Sequence, residues 1–243
     1  MRGMNSDAPT PPSWQFDEQS HTGKDFASPA VVEAYDARHR RFRDVDRENE
    51  EIIAAIGLQE RHSVADFGCG TGEFAVRAAG KCARVYAVDI SPAMLKAVEW
   101  KARARGLSNV VCRLGGFLTY THDGEPLDAI VTGLALHHLP DFWKQKALLR
   151  LNRMLKDGGR LFLMDVVFAE GDCEQNIEAW IAGLGRQAGP EMVADVSRHV
   201  RQEHSTFAWI MEGLIERAGF RIDRKEYAGG VTAKYLCRRL HQC

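Results

Sequence analysis

Along residues 60–168 short apolar runs alternate with stretches of helical period. Val64-Ala65-Asp66-Phe67 is a short run consistent with a buried strand, and three glycines at alternate positions separate it from a helical stripe that opens at Phe74-Ala75. A second run, Val85-Tyr86-Ala87-Val88-Asp89-Ile90, leads into a helix. Ser91 is placed to cap it, Pro92 to occupy its first turn, and Gly106 to end it. Leu95, Val98 and Ala102 supply its inner stripe. A strand is expected at about 110–114 and another at Asp128-Ala129-Ile130-Val131-Thr132. A helix follows from about Asp141 to Leu155, with Leu148, Leu151 and Leu155 turned inward. Residues 160–168 are almost continuously apolar except Asp165, as a central parallel strand buried on both faces should be. Strands that alternate with helices predict an open α/β sheet with ligands at the carboxyl ends of its strands.

The flanks have a different character. Residues 1–29 carry Pro9, Pro11, Pro12 and Pro29 among polar residues and read as a mobile tail, with Trp14 and Phe16 able to dock on the body. From residue 30 one domain is expected to run to 243. Its first helices, 30–57, place Tyr35, His39 and Phe42 at i, i+4 and i+7 and end on Ile52, Ile53 and Ile56. Residues 170–204 form a helical insertion. Ile177, Trp180, Ile181 and Leu184 make one face, Gly189-Pro190 a break, and Met192, Val193, Val196 and Val200 a second face. A helix over 205–218 stops at Gly219. Segments 220–227 and 231–238, hinged at Gly229-Gly230, close the chain as a hairpin. Both the helices before the first strand and the 170–204 insertion are positioned to act as a lid.

Composition narrows the class. With 32 basic and 33 acidic residues in 243, no global charge favours nucleic acid or an acidic membrane surface. The cysteines at 69, 82, 112, 173, 237 and 243 form no CxxC pair, which argues against a disulfide framework or a zinc site and fits a reducing cytoplasm. No stretch approaches the roughly 18 apolar residues of a membrane span, and the first thirty residues lack a signal-like apolar core. A cytoplasmic protein, monomer or homodimer, is expected.

The candidate chemistry begins at Asp66-Phe67-Gly68-Cys69-Gly70-Thr71-Gly72. A dinucleotide loop would be spaced G-x-G-x-x-G, whereas here the glycines fall at 68, 70 and 72 with an acid two residues ahead. This spacing resembles the first motif of the class I S-adenosylmethionine (SAM) methyltransferases. Three further stretches resemble that family in the same order. They are Val85 to Met94 with its acid Asp89, Leu134-Ala135-Leu136-His137-His138-Leu139 after the fourth strand, and Leu155-Lys156-Asp157-Gly158-Gly159 before the fifth. Phe16-Asp17-Glu18 and Asp165-Val166-Val167-Phe168-Ala169 resemble points of a small bacterial group of unassigned substrate, and more distantly the core is similar to quinone-biosynthesis C-methyltransferases.

The resemblance implies a Rossmann-like, mostly parallel seven-stranded sheet with a C-terminal antiparallel hairpin and helices on both faces. SAM is the implied cofactor. Its amino-acid part would lie at Gly68, Cys69, Gly70 and Gly72 with Asp66 on the amine, its ribose on Asp89, and its adenine near Met94, Gly116 and Phe117, with Ile90, Leu134 and His138 also in the cofactor pocket. Relatives often carry an acid for the adenine amino group where this chain has Gly116. Methyl transfer is an in-line displacement dominated by alignment, with Tyr35, His39, His137, His138 and Asp165 as candidate catalytic groups. Motifs of amino-methylating DNA enzymes, of cytosine C6 attack and of magnesium-dependent catechol sites are absent, so a small-molecule acceptor and no metal are expected. The alternatives are a SAM-binding protein without catalysis and, on the loop spacing the poorer fit, a nicotinamide-dependent oxidoreductase.

Overall fold

Each apolar run in the central part of the chain becomes a strand, and each helical stripe packs on the sheet those strands form. The computed structural model describes residues 12–19 and 29–240. Helices α1 (Pro29–His39) and α2 (Val45–Ala55) precede β1 (Ser63–Phe67). Then follow α3 (Glu73–Ala79), β2 (Arg84–Asp89), α4 (Pro92–Ala104), β3 (Val110–Leu114) and β4 (Leu127–Gly133). A 3-10 turn (Leu136–His138) leads to α5 (Asp141–Met154) and β5 (Leu155–Phe168). The insertion is a helical hairpin, α6 (Cys173–Ala188) and α7 (Pro190–Gln202). β6 (Thr206–Phe207), α8 (Ala208–Arg217), β7 (Phe220–Ala228) and β8 (Thr232–Arg239) complete the chain.

The strand order is β3-β2-β1-β4-β5-β8-β7, with β6 pairing β5 off this path. β1 to β5 are mutually parallel, and β8 and β7 return antiparallel, so the sheet is the expected Rossmann-like one. It departs from the sequence reading at two points. Thr206-Phe207, expected inside a helix, instead pairs in parallel with Val167-Phe168, which adds a short strand. β5 starts at Leu155 rather than 160, because Leu155 pairs with Leu127 and the turn 156–159 bulges out before Arg160 pairs with Ala129.

Period-two alternation sorts the apparently uniform apolar runs between two cores. Val64, Val85, Ala87, Ala129, Val131, Phe162 and Met164 face α2, α3 and α4 through Ile52, Ile53, Phe74 and Val98. Ala65, Phe67, Tyr86, Val88, Ile130, Leu161 and Leu163 face α5 and α8 through Leu148, Leu151, Met211 and Ile215. The chain runs from β1 outward to β3 and then returns to β4 on the other side of β1, so the connections diverge above β1 and β4 and open a crevice there.

Of the expected mobile tail, residues 1–11 and 20–28 lie outside the described residues. Residues 12–19 lie against the body: Trp14 stacks on Trp143 of α5 at 6.1 Å, and Phe16 packs between Trp143 and His204 at 6.5 and 6.3 Å.

Candidate active site

The glycine loop is tied down largely by its own backbone. Gly68 and Cys69 N–H donate to Val88 O (2.9 and 3.1 Å), Gly70 N–H to Asp89 Oδ2 (2.8 Å), and Gly72 N–H to Cys69 O (2.9 Å). These committed amides mean that the loop offers a ligand close approach of bare main chain more than a set of backbone donors. Gly68, Gly70 and Gly72 have φ of 66°, 52° and 79°, a region side chains enter at a cost. A Cβ on Gly68 would also lie 2.4 Å from Ala135 Cβ, so the loop could not sit this close to the turn after β4.

Asp89, at the end of β2, is buried, and its other oxygen accepts Ser91 N–H at 2.8 Å. Asp89 lines the cavity described below. Asp66 is buried beneath the loop. Burial, and then the charge of Asp89, push its carboxyl up to about 7.

A cavity of about 860 Å³, open mouth included, lies over the loop. Gly68, Gly70, Asp89, Ile90, Met94, Gly116, Phe117, Leu134, Tyr35 and His138 line it. Asp66, Cys69 and Gly72 do not. Gly72 instead faces Val98, where a Cβ would come within 2.7 Å, so it permits α3 to pack on α4. Phe16, Glu18, Gly115, Ala135 and Leu139 line the cavity without having been predicted. The Phe16-Asp17-Glu18 segment resembles a motif, but nothing local ties it to a loop 100 residues away. Leu134, with φ of 55°, is the one non-glycine residue in the left-handed region among the described residues; it lies at the cavity wall, where strained backbone tends to collect.

His137 and Asp165 lie outside the cavity lining, in a buried network. Asp165 accepts the His137 backbone N–H at 2.9 Å and pairs with Nδ1 at 2.5 Å, while Nε2 meets Glu203 Oε2 at 3.0 Å. Glu203 also pairs with His199 Nδ1 at 2.7 Å. Burial alone would strip the proton from His137, but the two carboxylates outweigh it and hold the ring up at about 9. Burial likewise opposes charge on Asp165 and Glu203, and His137 holds both below their ordinary range. An imidazolium held between two carboxylates is a clamp, not a poised base. Local pattern carries no sign of Glu203 or His199, since both come from the far end of the insertion.

His138 does face the cavity. Burial and then the charge of His137 press it down to about 4, so it is neutral near pH 7. His137, His138 and Glu203 offer ligand-type atoms within 4.8 Å of one another, the one such grouping among the described residues.

The helix before the first strand closes one side. Tyr35 lies over Gly70, and burial pushes its phenol up to about 12. His39 is removed from the cavity and stacks behind Tyr35 at 4.2 Å; burial and then Arg43 press it down to about 4. Asp36 pins α1 to the glycine loop and α4 through Thr71 Oγ1 (2.5 Å) and Lys101 (2.5 Å), and Lys101 reaches Glu73 at 2.6 Å. No residue of 170–204 lines the cavity.

Known proteins agree with this arrangement. Residues 64–159 match the methyltransferase domain family. An uncharacterized methyltransferase of Geobacillus kaustophilus is 27% identical over 190 residues, covering 78% of this chain and 81% of that one. A SAM-dependent methyltransferase from Aquifex aeolicus superposes with a TM-score of 0.63 at 21% identity, over 88% of this chain and 99% of that one. The geranyl diphosphate C-methyltransferase of Streptomyces coelicolor, in complex with S-adenosyl-L-homocysteine, also scores 0.63, at 15% identity over 80% and 76% of the two chains. Residues 64–159 thus carry a methyltransferase domain, and the chain has the fold of the class I SAM-dependent methyltransferases.

Proposed function

We propose that the cavity above β1 and β4 holds SAM together with a small-molecule acceptor, and that catalysis there is mainly alignment. The residues suit the cofactor: a buried carboxylate at Asp89 for a diol, bare backbone at Gly68 and Gly70, and apolar walls from Ile90, Met94, Phe117 and Leu134 for a flat ring. Bound there, SAM supplies an electrophilic methyl group on a sulfonium. The single observation that favours a small acceptor is the enclosure of the cavity by Phe16 and Tyr35 from segments before the first strand.

The protein's own part in the reaction is to exclude water and orient. Tyr35 keeps its proton and can donate a hydrogen bond, while neutral His138 can accept one. A histidine held near 4 is a weak base at neutral pH, so His138 is better suited to positioning than to proton abstraction. His137 and Asp165 hold the turn that carries His138. Incubation with methyl-labelled SAM and fractionated cell extract tests the reading. Label should enter the small-molecule fraction; label confined to protein or nucleic acid overturns it.

A further inference from the structure

The loop after β3 has a gap where a side chain would be useful, and another part of the chain fills it. Gly116 lines the cavity with only its backbone. Glu18, from the N-terminal segment, places its carboxylate where a side chain at 116 would begin. A Cβ built on Gly116 would lie 2.4, 2.6 and 2.7 Å from Glu18 Oε1, Cδ and Oε2, closer than real atoms approach. The bare residue at 116 and the acid at 18 therefore depend on each other.

The loop holds that carboxylate as it would hold one of its own. Glu18 Oε2 accepts Leu118 N–H at 3.0 Å and the Thr119 hydroxyl at 3.1 Å, while Thr119 Oγ1 in turn accepts Gly116 N–H at 2.8 Å. Arg150 braces the loop from behind, donating to Phe117 O at 3.1 Å and Tyr120 O at 2.6 Å. The segment that carries Glu18 is anchored on α5 by the Trp14 and Phe16 contacts with Trp143. Held in this way, Glu18 lines the cavity. Asp89 and Glu18 thus line one cavity whose other walls include Ile90, Met94 and Phe117, so it offers a diol acceptor, apolar surfaces for a ring and an acceptor for an amino group.

We propose that Glu18 reads the exocyclic amino group of the cofactor's adenine, and that the N-terminal segment is therefore part of the cofactor site. The proposal rests on the SAM reading above. It makes nucleobase selection depend on a residue about 100 positions before the loop it serves, and it couples cofactor binding to docking of the segment.

Calorimetry on the full chain tests it, with S-adenosylhomocysteine and its inosine counterpart, in which a carbonyl replaces the amino group. The wild type should prefer the adenine compound. Glu18→Ala should lower affinity for it by about tenfold and erase most of the preference. Gly116→Asp alone should also weaken binding, because it meets Glu18, whereas Glu18→Ala/Gly116→Asp should regain both affinity and preference by restoring a carboxylate from the other side. Glu18→Ala with undiminished affinity and preference overturns the proposal. So does tighter binding by that variant, which makes Glu18 a plug instead of a reader, or a double variant no better than Glu18→Ala. If the wild type binds S-adenosylhomocysteine and Asp89→Ala abolishes it while Glu18→Ala does nothing, the cofactor reading stands and only the role of Glu18 fails. If the wild type binds neither compound, both fall together.

Discussion

Asp89 carries two burdens, and its substitution separates them. Its carboxylate ties Gly70 and Ser91 to the end of β2 and lines the cavity. Asp89→Ala should lower affinity for S-adenosylhomocysteine on the order of tenfold to a hundredfold, since a charge-assisted hydrogen bond contributes about 1.5–3 kcal/mol. The Asp66 carboxyl, raised by burial and by the charge of Asp89, should at the same time titrate lower. Calorimetry and a carboxyl-resolved NMR titration read the two effects; unchanged affinity would place the cofactor elsewhere. Asp89 was legible in the sequence because an acid at the end of a strand after such a loop has few other uses. Glu18 was not, because its partners Leu118 and Thr119 are brought to it only by folding.

At the scale of elements, α1 is a wall as well as a cap. Tyr35 faces the cavity, His39 stacks behind it, and the Asp36 contacts with Thr71 and Lys101 fix the helix over the glycine loop. The double variant Tyr35→Ala/His39→Ala should therefore bind S-adenosylhomocysteine within about tenfold of the wild type yet turn over roughly a hundredfold more slowly, as loss of alignment can cost that much. Steady-state rates beside calorimetry decide it, and equal losses in both would reduce α1 to part of the cofactor site. The periodic placing of Tyr35 and His39 on one stripe was readable in the sequence. The inward turn of Tyr35 and the supporting place of His39 were not, because helical phase relative to a neighbour is set by packing. The insertion divides in the same way. Its two helices were expected, but α6 buries no residue, and α7 meets the site's surroundings through Asp195, which pairs with Arg38 of α1, through His199 and, just beyond its end, through Glu203.

Across the whole molecule, the His137 network joins β5, the turn after β4 and the end of the insertion. His137 is raised from 6.5 to about 9 in the fold, so its contribution is complete below about pH 6.5 and disappears as pH rises through about 9. Asp165 and Glu203 are depressed, so their contributions are lost only in acid. The melting temperature should fall on the alkaline side between those two values. His137→Gln should lower it on the order of 10 °C near pH 6, since breaking a buried pair costs about 3–5 kcal/mol, and should flatten that alkaline slope. Melting curves across pH test this; a slope unchanged in the variant would assign the alkaline loss to other groups.

The order of strands and helices, the glycine spacing and the acid at 89 follow from local chemistry, because strand burial, turn geometry and helix caps act between residues near in sequence. The sequence alone therefore determined the α/β architecture and the cofactor class. Which loop amides remain available, which histidine faces the cavity and which carboxylate stands at Gly116 were decided by the tertiary structure. Adjacent His137 and His138 show the reason. Identical side chains, one residue apart, are held at about 9 and about 4, because Asp165 and Glu203 flank the first while burial and its neighbour's charge govern the second. Burial and long-range charge belong to the packed molecule, and no reading of local pattern contains them.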